Sequence, residues 1–156
     1  MSRPDLVRRA AAGGAAAAGV LVAVGAASPW LTLYGGLHPL RGTMGLWGQA
    51  LFTAGIVSAG GAWMLMRAPR RGGQVLAAAG LVMLAFACWL AFSRIPVTLA
   101  ELRENPLLVA GAGSGIYLVI AGCIALTVSA GLGALAPADG GRNPSMNALS
   151  SARIRG

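Results

Sequence analysis

The sequence predicts an all-α integral membrane protein. The expected fold is a four-helix bundle with both termini cytoplasmic and a short outer amphipathic helix between spans three and four. Three observations lead there. Four long apolar stretches are separated by three short polar breaks. Only 10% of the 156 residues are charged, against about 25% in soluble domains, and no ionisable side chain falls in the middle of a stretch. The breaks carry arginine alternately in excess and in shortage, which is the pattern that orients membrane helices.

The first span is expected over 8–28. It opens after Arg3, Arg8 and Arg9, consists almost wholly of Ala, Gly, Val and Leu, and ends at Ser28-Pro29, since proline lacks the N–H a continuing helix needs. Arg8-Arg9 before an apolar run, with small residues at Ala26-Ala27, also fits a signal peptide, but a bundle span is the preferred reading. Gly35 to Gly42 reads as a turn-rich loop. The second span is expected over 44–66, with Thr43 as its N-cap, and Arg67 to Gly73 as a tight basic turn. The third span is expected over 74–92. In the next loop, Pro96 can start a helix and Thr98 with Glu101 matches a capping box. Val97, Leu99 and Leu102 supply an apolar side to that outer helix. The fourth span is expected over 107–132. The transmembrane domain then covers 1–135, and 136–156, mixed in Pro, Gly, Ser, Asn and Arg, reads as a disordered cytoplasmic tail. Each span is about 19 to 27 residues long, against the roughly 20 that cross a bilayer core. Such stretches must be helical because lipid offers the backbone no hydrogen-bond partner. No alternating strand pattern is apparent.

With both termini inside, the inner segments hold nine arginines (3, 8, 9, 67, 70, 71, 142, 153 and 155) and the outer loops hold Arg41, Arg94 and Arg103. This obeys the positive-inside rule. Trp30, Tyr34, Trp47 and Trp89 then fall at the outer interface and Trp63 at the inner one, where amphipathic rings are favoured. The net charge of +8 does not indicate nucleic acid, because the arginines cap apolar spans and form no basic face.

Small residues recur four apart: Gly19 with Ala23, Gly55 with Ala59, Gly111 with Gly115. This spacing lets helices approach closely, so Gly55, Ala59, Gly111 and Gly115 are the expected packing residues. Gly111 to Gly115 reads as part of an apolar helix rather than a phosphate-binding loop. Gln49 and Thr53 share a helical face and, with Ser58, Ser114, Thr127 and Ser129, supply interhelical hydrogen bonds. Cys88 and Cys123 are expected at different depths and unpaired. His38 is the single histidine, so no metal or haem ligand set is expected, and no cofactor. No Ser-His-Asp or Cys-His set is present, so no catalytic residues are assigned. The interior lacks the titratable group that proton-coupled transport requires; small multidrug exporters carry a glutamate in the first span, and this chain has none there.

Trp30 followed by Gly45-Leu46-Trp47 resembles the claudin signature, but that family continues with two cysteines after the tryptophan in a long outer loop, and this chain does not. Ser28-Pro29-Trp30-Leu31-Thr32-Leu33 and Gly115-Ile116-Tyr117-Leu118 resemble segments of small uncharacterised four-span membrane proteins of actinobacteria. That resemblance implies topology alone. The expected function is a non-enzymatic accessory or scaffold subunit of a larger envelope or respiratory complex in the plasma membrane. Its partners would be membrane lipid and other membrane subunits or further copies of itself. The alternatives are a small-molecule or lipid carrier acting as an oligomer, and an outer-leaflet lipid-modifying enzyme. The candidate outer interaction surface comprises Trp30, Tyr34, His38, Arg41, Trp47, Trp89, Arg94, Glu101 and Arg103, since aromatic residues and arginine dominate binding hot spots.

Overall fold

The computed structural model of the chain describes residues 3–104 and 109–135. Its order is α1 (Arg3–Ala27), β1 (Pro29–Leu33), β2 (His38–Arg41), α2 (Leu46–Gly61), α3 (Met64–Arg67), α4 (Pro69–Trp89), a π-helical turn (Leu90–Arg94), α5 (Ile95–Arg103), β3 (Gly111–Ala112) and α6 (Gly115–Leu135). Among the described residues, four helical stretches are long and apolar enough to cross a membrane: Asp5–Ala27, Leu46–Arg67, Arg70–Arg103 and Gly115–Leu135.

Helix α1 lies between two others. It packs along α6 on one side and against α2 on the other, and α4 covers the far side of α6. Ala15, Val22 and Ala26 of α1 and Val119, Cys123, Leu126 and Ala130 of α6 are fully buried. The Ala- and Gly-rich composition of α1 is what permits two close neighbours. At Gly19 an added Cβ would lie 2.6 Å from the backbone nitrogen of Ala59, and at Gly55 one would lie 2.8 Å from that of Ala23. Gly19 and Ala23 thus face Gly55 and Ala59 across one crossing. On the other side, added Cβ atoms at Gly25 and Gly122 would lie 2.7 Å from the Val119 nitrogen and 2.9 Å from the Val22 nitrogen. Dispersion between closely approaching backbones holds helices together where lipid removes the hydrophobic drive.

One end of the bundle carries a three-stranded antiparallel sheet, in the order β2-β1-β3. This corrects the expectation of a purely helical fold with a loop over Gly35–Gly42. Ser28 closes α1 by donating its Oγ–H to the Val24 carbonyl at 2.7 Å, and Pro29 sends the chain into β1. The hairpin turns through Tyr34 (φ 53°) and Gly36 (φ 105°), the left-handed conformations that a tight reversal needs. Pro39 lies in β2, an edge strand, where a missing N–H is tolerated. The glycine run at 111–115 is not helical until Gly115. Gly111 lies in β3 beside Thr32, and Gly113 donates its N–H to the Trp30 carbonyl at 2.8 Å. A side chain at 113 would run into the Pro29 carbonyl, so the chain passes β1 there only because the residue is glycine. The fourth helix therefore begins later than position 107, at Gly115.

Other boundaries also differ. Thr43 is not an N-cap: Gly45 occupies that position without a side-chain bond, and the Thr43 carbonyl accepts from Gln49 Nε2 at 3.1 Å. The second span breaks at Ala62-Trp63 before α3. The basic turn shrinks to Ala68, because Pro69 is well placed in the first turn of α4. The third span does not stop at 92. It runs through the π turn into α5, so the amphipathic segment continues α4 rather than starting anew. Thr98 donates to the Arg94 carbonyl at 3.1 Å, a bond to the preceding turn that replaces the expected capping box. The expected tail, 136–156, lies outside the described residues.

Candidate interaction surface

The sheet end gathers the aromatic and cationic residues, but in three different roles. Trp30 is part of the framework. Its indole Nε1–H donates to the Gly25 carbonyl at 3.1 Å, and its ring fills the space left by the glycines at 42 and 115. The side chain pins β1 onto the α1–α6 contact, so it is half-buried and spent on the fold.

Tyr34, His38 and Arg41 form the exposed rim of the hairpin. Tyr34 and His38 meet edge to face with ring centres 5.7 Å apart, a favoured aromatic geometry. Arg41 ends β2 opposite Pro29.

The third group is a row along α2 and α4. Trp47 meets Phe86 edge-on at 5.5 Å, and Phe86 stacks on Trp89 at 5.8 Å. The Arg94 guanidinium lies 5.5 Å from the Trp89 ring centre, within cation–π reach. These two residues are five apart, the span of the i→i+5 hydrogen bond that defines a π-helix. The π segment is thus what brings the arginine over the indole. Phe86 was not singled out in the sequence; its spacing of three from Trp89 was the available signal. Glu101 and Arg103 are exposed on α5, further along the same continuous helix.

The opposite end has its own Trp–Arg pair. Arg67 lies 3.8 Å from the Trp63 ring centre, the two being four apart. Arg8, Arg9, Arg70 and Arg71 lie at this end, in the first turns of α1 and α4.

The polar residues of the spans are mostly spent locally. Gln49 and Thr53 are exposed on α2. Thr127 donates to the Cys123 carbonyl at 2.8 Å, and Ser58 is buried. Ser114 is exposed in the turn before α6. Cys88 and Cys123 are free thiols. With α6 starting at Gly115, Cys123 lies about 12 Å into its helix at 1.5 Å per residue, shallower than a span from 107 implies. Among the described residues, no three His, Cys, Asp or Glu side chains are grouped to hold a metal ion.

Comparison with protein-family models, with curated proteins and with solved structures finds no match.

Proposed function

We propose that this chain is a non-enzymatic multi-pass protein of the cell membrane, with both termini cytoplasmic, acting as an accessory or scaffold subunit of a larger envelope or respiratory assembly. The observation that carries this reading is the unbroken helical stretch Arg70–Arg103, 34 residues long. At 1.5 Å per residue it extends about 51 Å, while the hydrocarbon core is about 30 Å thick. About 20 Å therefore stands clear on the outer side. Phe92, 80% exposed, and Val97, 53% exposed, lie on this part beside Arg94, Glu101 and Arg103. A stiff arm with apolar and charged groups interleaved suits docking of a larger subunit better than it suits chemistry.

The carrier reading draws support from an apolar gap of about 180 Å³ between α2 and α4, lined by Ala50, Leu51, Ala54, Val82, Met83 and Phe86. It ranks second because that gap holds no polar group to orient a solute.

Purification in mild detergent with mass spectrometry of co-purifying chains tests the docking reading. Replacing Arg41 and Arg103 with Ala is expected to reduce recovery of the partner several-fold while insertion persists. Replacing Arg70 and Arg71 with Ala is expected to disturb insertion first. If the outer pair has no effect and the inner pair abolishes recovery of a correctly inserted protein, the docking surface is cytoplasmic. Orientation is checked in a Cys88→Ala, Cys123→Ala background. A cysteine at Thr98 should label from outside intact cells and one at Ala68 should not.

A further inference from the structure

At Gly19 and Gly55 helices α1 and α2 touch backbone to backbone, but the contact does not continue. About two turns nearer the start of α1, an added Cβ at Gly13 meets nothing within 4 Å. Towards the arginine-rich end the two helices line an open wedge of about 310 Å³. Its walls are small and apolar: Ala12, Gly13 and Ala16 on α1, Ala59 on α2 and Ala62 just after it.

The mouth has a different chemistry. Arg9, Trp63 and Met66 surround it, and an adjoining recess of about 150 Å³ is lined by Arg8, Arg9, Asp5 and Met66. Trp63 reaches this position because α2 breaks at Ala62-Trp63. The Arg67 guanidinium lies 3.8 Å from its ring centre, so a further cation stands beside Trp63.

We propose that this wedge binds an anionic glycerophospholipid, with one acyl chain in the Ala- and Gly-lined groove and the phosphate at Arg9. The occupant must be apolar along one length and negative at one end, as the groove is apolar in depth and cationic at its mouth. The indole of Trp63 suits the level of the glycerol backbone, where aromatic rings favour the boundary between hydrocarbon and water. Arginine offers a phosphate a fork of two parallel N–H donors. The site is independent of the sheet-end docking surface.

Native mass spectrometry of the full-length protein, released from mild detergent after incubation with equal amounts of palmitoyl-oleoyl phosphatidylglycerol and phosphatidylcholine, tests the assignment. One phosphatidylglycerol per chain is expected, preferred over phosphatidylcholine by about tenfold: both lipids carry the phosphate, but the choline cation cancels the net negative charge that Arg9 and Arg67 attract. Gly13→Leu fills open space, and Arg9→Gln removes the cation. Each should lower retention of phosphatidylglycerol about tenfold. Gly131→Leu, also at a position with open space around it, and Arg70→Gln at the same end should retain it. Equal retention of the two lipids by the wild type overturns the proposal. So does unchanged retention in Arg9→Gln, which keeps the test decisive should Gly13→Leu fail to fold. Displacement by glycerol 3-phosphate as effective as by the intact lipid would show that the site reads phosphate alone. A second copy of the chain in place of lipid, lost in Gly13→Leu, would show a dimer contact instead.

Discussion

The helix contacts in this bundle are built in two opposite ways. Where α1 crosses α2, and along its contact with α6, glycines bring backbone against backbone. Where α2 faces α4, large side chains such as Leu51, Met83 and Phe86 meet across a gap. In water such a gap would close, since apolar surface gains by leaving solvent. In lipid the acyl chains are as apolar as leucine, so only close packing or hydrogen bonding draws helices together. The comparison separates contacts that hold the bundle together from a surface the bundle leaves free for something else.

The sharpest way to test that division is through two tryptophans at the same end. Trp30 stands at the closed side, bonded to Gly25 and packed on α6; Trp47 stands at the open side on Phe86. Trp30→Ala should cost about 3–5 kcal/mol, as expected for emptying a packed aromatic site. Trp47→Ala should cost about 1 kcal/mol, the scale of an aromatic pair. Thermal unfolding in detergent measures both, and equal losses would erase the distinction.

Neighbouring residues on α2 give a second, smaller test. Gly55→Leu forces a side chain into the backbone of α1 and should destabilise by about 1–3 kcal/mol. Ala54→Leu points into the gap and should change stability by no more than about 0.5 kcal/mol. A large loss from Ala54→Leu would mean the α2–α4 seam is tighter than its geometry.

The smallest effect concerns sign. An added Cβ at Gly80 would lie 2.5 Å from Thr127 Oγ1, so Gly80→Ala must displace the hydroxyl from the Cys123 carbonyl. That loss, about 1 kcal/mol, nearly offsets the helix-propensity gain of alanine over glycine, also about 1 kcal/mol. In a Thr127→Ala background the hydroxyl clash is gone and a 3.2 Å approach to the residue-127 backbone nitrogen remains, so Gly80→Ala should shift towards stabilisation. Denaturation midpoints of the four variants in the cycle reveal whether the sign reverses.

The long helices were legible because their exposed and buried faces are both apolar, which leaves a long unbroken signal. The facing pairs Gly19–Ala23 and Gly55–Ala59 were legible one helix at a time, though spacing alone could not match them to each other. The sheet was not legible. Leu31, Thr32 and Leu33 are all half-buried, so no inside-outside alternation marks the strand, and β3 has two residues. Its partner lies 79 positions away across the Thr32–Gly111 bond, beyond any local pattern. The continuity of α4 with α5 was hidden by Pro96, which reads as a helix start but is accommodated just after the π turn. The candidate surface was legible in composition and not in role: Trp30 looked like its neighbours until its indole was seen bonded inward.

The position of α1 between α2 and α6 has a consequence for biosynthesis. It leaves the ribosome before the other spans, yet α6, which covers its Val22 and Ala18 side, follows about 90 residues later. At roughly 5–20 residues per second, α1 waits about 5–18 s with that face uncovered, and β1 waits as long for β3. Until then its glycine-rich flank is open to any closely fitting helix, so the nascent chain must be shielded through that interval or fold with α2 alone as a provisional pair.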